Sequence, residues 1–135
     1  MPYEIQVDPE FRIGFIAAFD YVTGQDLVLA CKSLIEDASW EAGFDEVWDL
    51  SAATAVDISP DELERLAASA REHADRIGEN RVACVTTRDS MAAILRLLER
   101  LTPGLRRTYR VARTRQEAAD WLGVPLPPAG APPPS

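Results

Sequence analysis

Apolar residues alternate with polar ones at the start of the chain and then recur every three or four positions, and this change of period repeats towards the end. Ile5 and Val7 alternate within Glu4 to Val7, and Ile13, Phe15, Ala17 and Phe19 share one face of Arg12 to Phe19, so both stretches read as strands. Asp8, Pro9 and Glu10 supply a turn between them, which predicts an antiparallel hairpin. Thr23 with Asp26 has the spacing of a capping box. Leu27, Val28, Cys31, Leu34, Ile35 and Ala38 follow at helical spacing, and this first helix ends before Gly43. Glu46 to Leu50 reads as a short strand, and the small residues from Ser51 to Ser59 read as a loop.

Ser59 has the character of an N-cap, Pro60 suits the first helical position, and Glu62 completes a second box. The helix they open carries Leu63, Leu66, Ala67, Ala70, Ala74 and Ile77 on one face and stops at Gly78. Val82, Ala83, Cys84 and Val85 run together within Arg81 to Thr86, the pattern of a central strand covered on both sides. Met91, Ile94, Leu95, Leu98 and Leu101 form the stripe of a third helix, ended by Pro103 and Gly104. Arg107 to Ala112 is the last strand. Thr114 and Glu117 then predict a third capping box ahead of a short helix bearing Ala118, Trp121 and Leu122, with Gly123 as its stop.

Strands alternating with helices require crossovers and a largely parallel sheet. The expected fold is therefore α/β: a single domain over residues 1–123 with a mixed, mostly parallel five-stranded sheet, an N-terminal antiparallel hairpin and about four helices. Residues 124–135 are Pro-rich and are expected to form a disordered tail.

Composition narrows the chemistry. The chain has 135 residues, a net charge of -8, two cysteines and one histidine. A core of that size needs no metal or disulfide staple, so Cys31 and Cys84 need not pair. No run of 18 apolar residues occurs, and Met1 to Asp8 lacks the character of a secretory signal, so no membrane association and a cytoplasmic location are expected. With His73 as the single imidazole, set among Glu72 and Asp75 and without a Ser or Cys partner, no catalytic triad is supported and the chain is expected not to be an enzyme. Thirteen of the 14 basic residues are arginine in an alanine-rich chain, a composition associated with GC-rich bacterial genomes.

Charge is unevenly spread. Residues 1–62 hold 14 acids and two bases, whereas residues 63–135 hold eight acids and 12 bases. Arg96, Arg100, Arg106, Arg107, Arg110, Arg113 and Arg115 gather in the second part, but no recognition motif accompanies them, so they are expected to sit on a solvated face and bind no nucleic acid. Asp20, Asp49 and Asp57 all lie at or after strand ends, which in a parallel sheet would collect them at one edge. Their spacing matches no metal loop, and no metal or other cofactor is expected. Trp40, Trp48, Trp121 and the phenylalanines are expected in the core, although Phe15 and Phe19 on one strand face leave room for an apolar pocket.

The order of hairpin and three crossovers, with Asp49, Leu50 and Ser51 followed by Asp57 and Ser59, resembles the STAS family, the sulphate-transporter and anti-sigma-factor-antagonist domain. The closing Glu117 to Gly123 is similar to a bacterial STAS-like group. The resemblance implies a non-enzymatic regulatory module that acts by contact with a protein partner. It makes Ser59 the phosphoacceptor, flanked here by Ile58 and Pro60 where the family commonly has small residues, and Ser51, Asp57, Ser59 and Glu62 the docking residues. Ser59 also has a complete explanation as a helix cap. Leu97, off the apolar stripe, makes a homodimer surface a further expectation. The rival function is a carrier or sensor of a small apolar or lipid-like ligand.

Overall fold

The computed structural model describes residues 2–126. Its elements run β1 (Tyr3–Asp8), β2 (Ile13–Thr23), α1 (Gly24–Glu36), β3 (Asp45–Asp57), α2 (Pro60–Glu72), α3 (Ala74–Ile77), β4 (Asn80–Val85), α4 (Ser90–Leu101), β5 (Arg107–Ala112) and α5 (Arg115–Leu122). Asp8 shapes the first turn by accepting from the backbone N–H groups of Glu10 and Phe11, and Arg12 completes it at φ 56°. β1 and β2 pair antiparallel, with Tyr3 opposite Ala18. Every later pairing is parallel, and the five strands lie in the order β1-β2-β3-β4-β5. This is the α/β architecture expected from the sequence.

Three boundaries differ from those expected. Ser51 to Asp57 continues β3 instead of forming a loop, because Phe19 to Thr23 extends β2 and pairs with Ala52 to Asp57. That pairing satisfies backbone groups which small side chains could not shield. Register shifts fall between Ala17 and Phe19 and between Asp20 and Tyr21, and Asp20 takes φ 59° at this irregularity. α2 stops at Glu72, and the short α3 follows, so the described residues hold five helices. At the third box, the Thr114 hydroxyl accepts from Glu117 N–H, but the Glu117 carboxylate accepts from Arg113 N–H and leaves the box half made.

α1, α2 and α4 pack on one face of the sheet over a core that includes Ile16, Leu34, Trp40, Trp48, Leu66 and Leu98. α5 covers part of the other face through Ala118 and Leu122 against Ile13, Val47, Ala83 and Val85. The face of β2 that is most deeply buried carries Gly14, Ile16 and Ala18, whereas Phe15, Ala17 and Phe19 on the opposite face are half-buried. Gly14 shows how closely the deeper face is packed: a Cβ there would come within 2.8 Å of the Trp40 ring and 2.9 Å of Leu34. The Trp40 indole N–H donates to the Arg76 carbonyl at 2.7 Å, which ties the end of α3 to the core. Packing does not end with α5, since Val124 and Leu126 are partly buried against the second cluster. The rest of the Pro-rich tail, 127–135, lies outside the described residues.

Candidate functional site

β1 pairs with β2 only as far as Ala18, and β4 pairs with β3 only as far as Asp49. Beyond those points the last turns of β2 and β3 pair with each other alone and project from the sheet as a parallel ribbon. Arg88 steadies its outer edge by donating to the Ala53 carbonyl at 3.0 Å. On the ribbon Tyr21 is 54% exposed, and its hydroxyl donates to Asp57 Oδ2 at 2.7 Å. The hydrogen bond to the Asp57 carboxylate and its charge hold the Tyr21 phenol above its usual pKa.

The ribbon leads into α1 from β2 and towards α2 from β3, so the two helix N-termini lie side by side. Thr23 and Asp26 cap α1 reciprocally. Ser59 and Glu62 cap α2 in the same way, with the Ser59 hydroxyl accepting from Glu62 N–H at 3.1 Å and Glu62 Oε1 accepting from Ser59 N–H at 2.9 Å. The other carboxylate oxygen of Glu62 accepts from Gln25 N–H at 2.9 Å and clasps the first turns of the two helices together. Gly24 permits that approach, for a Cβ on it would stand 2.4 Å from Glu62 Cβ. The Ser59 N–H, followed by the other donors, holds the Glu62 carboxyl below its usual pKa.

Asp57, Ser59 and Glu62 thus share one end of the molecule. Ser51 does not join them: six steps along the strand, about 20 Å, separate it from Asp57. Its hydroxyl and N–H donate to Asp49 Oδ1 at 2.6 and 2.9 Å. The second Asp49 oxygen accepts from Arg115 Nε at 2.6 Å, and the Arg115 guanidinium lies over the Phe15 ring. Asp49 is therefore a buried, paired residue within β3.

Asp20, Asp49 and Asp57 do not gather: Asp20 is exposed at the irregularity, Asp49 is paired and Asp57 holds Tyr21. No group of three or more His, Cys, Asp or Glu side chains suits a metal among the described residues. His73 lies at the joint between α2 and α3 and is half-buried, with Nδ1 2.8 Å from the Ser69 carbonyl and Nε2 3.3 Å from Glu36. It is a structural joint between α2 and α3 that also reaches α1.

Five of the seven arginines expected on a solvated face are exposed, but Arg107 and Arg115 are not. Arg107 pairs with Glu46 inside the protein, with the two side chains 4% and 0% exposed. Asn80 Nδ2 and the Trp48 indole N–H also donate to the Glu46 carboxylate, at 2.9 and 3.1 Å. Burial alone would favour neutral Arg107, but the charge and hydrogen bond of Glu46, together with the neighbouring Tyr109 and Cys31, offset it and hold the guanidinium above its usual pKa. The guanidinium lies 5.8 Å from the Trp48 ring and 5.4 Å from Tyr109. Arg113 with Asp89 and Arg106 with Glu79 are exposed surface pairs. Sequence reasoning missed this core network, although Glu46 shares the strand parity of Trp48 and Leu50, which places it inward. The interior cavity beside it, between Cys31, Leu66, Ser69, Leu98, Arg107 and Tyr109, measures about 10 Å³. That is the space of one water-sized group.

No family model matches the chain, and no curated protein does. Among solved structures it is similar to an uncharacterized protein of the DUF3478 family with a SpoIIAA-like fold from Shewanella loihica PV-4. The two share 15% identity and superpose with a TM-score of 0.56 over 89% of this chain and 91% of that one. No helix among the described residues is long and apolar enough to cross a membrane. The antiparallel opening hairpin, the parallel remainder and the helix capped at Ser59 are thus the parts of a SpoIIAA-like, STAS-type fold, and that is the fold of this protein.

Proposed function

We propose that this domain is a non-enzymatic regulatory module of the cytoplasm that docks a protein partner on the ribbon and the N-terminus of α2. The observation that carries this reading is the projecting ribbon, which presents Tyr21 to solvent beside Asp57 and stands next to the clasp of Ser59, Glu62 and Gln25. A surface built from a rigid aromatic, fixed hydrogen-bonding groups and an open strand edge suits a protein contact.

Ser59 is the point at which charge would act. Its oxygen already accepts from a helix N–H, and a phosphate there would gain from the helix N-terminus. The same phosphate would be set against Glu62, whose carboxylate holds both Ser59 and Gln25. Displacing Glu62 opens the clasp and frees the first turn of α1 from that of α2, which converts a local modification into a changed docking surface. The test uses the wild type, Ser59→Ala, Ser59→Asp and Tyr21→Ala as baits in extracts of the native cell, followed by binding measurements with the purified partner. The module reading expects one protein retained by the wild type and Ser59→Ala and lost with Ser59→Asp and Tyr21→Ala. Equal recovery by all four, with no phosphate on Ser59 by mass spectrometry, sinks it.

A further inference from the structure

β5 is an edge strand, and its parity decides which backbone groups it offers. Asn80 N–H donates to the Arg106 carbonyl, and Thr86 N–H donates to the Ala112 carbonyl. Because the register with β4 is unbroken from Arg107 to Ala112, the even-numbered residues of β5 bond inward. Arg107, Tyr109 and Val111 therefore turn their backbone N–H and C=O groups to the open side. A groove of about 270 Å³ flanks that edge on the α4 side, lined by Ala92, Leu95, Arg96, Glu99, Tyr109 and Val111 among others. A second, of about 290 Å³, flanks it on the α5 side between Arg110, Glu117, Asp120 and Trp121.

We infer that this edge is a self-association surface, on which a second copy of the chain pairs its own β5 antiparallel to form one continuous sheet. A two-fold axis at Tyr109 sets Tyr109 against Tyr109 of the second copy and Arg107 against Val111, so all three outward residues of each copy find partners. Adjacent inward-bonding positions set Arg110 against Thr108, which avoids a like-charge pair directly across the strands.

Charge selects the second copy over an unrelated strand. Arg96, Arg100 and Arg110 make no ion pair among the described residues. The grooves hold acids beside them: Glu99 lies one helical turn from Arg96, and Glu117 and Asp120 face Arg110. The edge is thus close to neutral in sum but patterned in both signs. An antiparallel copy brings Arg96 to Glu99 of the other α4 and Arg110 to the acids of the other α5. A uniformly acidic or basic partner would meet like charge in both grooves. The exposed Leu97 points to the opposite side of α4, because it lies about 100° or more around the helix from Ala92, Arg96 and Glu99. The ribbon belongs to β2 and β3 and Ser59 caps α2, so this surface stands or falls independently of the proposed docking end.

Sedimentation analysis of the purified chain tests the pairing, with amide exchange as the local readout. The wild type is expected to sediment as a dimer, with the amides of Arg107, Tyr109 and Val111 protected. Val111→Pro removes an outward donor without touching the ladder to β4, and Thr108→Arg sets like charge against Arg110 of the second copy. Both should be monomers that melt as cooperatively as the wild type. Arg96→Glu should weaken association about ten-fold, and Glu99→Arg added to it should restore most of the loss. A wild type that stays monomeric at about 1 mM, or a dimer untouched by Val111→Pro and Thr108→Arg, overturns the inference. So does a monomer that instead takes up an added peptide strand at β5.

Discussion

Replacing Arg107 by methionine tests the buried network most directly. Methionine fills much of the arginine stem's volume but leaves the Glu46 carboxylate, fully buried, with only the Asn80 amide and the Trp48 indole as donors. Breaking a buried pair by removing one partner costs about 3–5 kcal/mol. The loss of the guanidinium from between Trp48 and Tyr109 falls within that figure. Against a total stability of about 5–15 kcal/mol, this is a large fraction. At about 4 °C per kcal/mol for a domain of this size, the melting temperature should fall by roughly 12–20 °C. Urea titration followed by fluorescence is the assay, since Trp40 and Trp48 are 2% and 1% exposed and both report loss of the core. Adding Glu46→Gln removes the stranded charge while keeping an acceptor for Trp48, and it should recover about 2 kcal/mol. If Arg107→Met costs under about 1 kcal/mol, the range of exposed pairs, or if Glu46→Gln fails to recover stability, the buried pairing described here is wrong.

Ser59→Ala should destabilise the domain by about 1 kcal/mol, whereas Ser59→Asp should keep stability near wild type in urea titrations, because aspartate also caps. Burial pushes the Cys84 thiol up to about 12, and Cys31 is raised likewise, so alkylation at pH 8 should proceed no faster than global opening by hydrogen exchange. Glu62 has a depressed carboxyl pKa, so its clasp contributes above the unfolded carboxylate range and is lost as pH falls through the folded value. Glu62→Gln should therefore flatten the acid limb of the stability curve. Ending the chain after Gly123 removes the half-buried Val124 and Leu126 and should cost about 2–3 kcal/mol at most, read as a melting temperature lower by no more than roughly 8–12 °C.

The fold was legible where local chemistry and period agreed. Thr23 with Asp26 and Ser59 with Glu62 form the capping boxes their spacing predicts, and β5 spans Arg107 to Ala112 as expected. The ribbon was not legible, because Ser51 to Asp57 is held as strand by partners on β2 and not by its own propensity. The break at His73 was hidden for a similar reason. The apolar stripe continues through it to Ile77, while the contacts from His73 to Glu36 and from Arg76 to the Ile35 and Asp37 carbonyls come from α1 and its C-terminus. At the candidate site, Ser59 and Glu62 were visible as a box, but the reach of Glu62 to Gln25 crosses 37 positions. Pairings such as Glu46 with Arg107 leave only a parity signal in either strand.

The strands lie across the sheet in the order in which they occur along the chain. During synthesis each new strand can therefore add to the edge left by the one before it, and none has to insert between two already in place. The ribosome releases Glu46 long before Arg107, which lies 61 positions later. Until β5 emerges and docks, the nascent sheet holds a carboxylate that resists being dried, and the core around Trp48 has reason to stay wet. The final strand brings the charge that Glu46 needs, so drying the core around that carboxylate is costly until β5 is present.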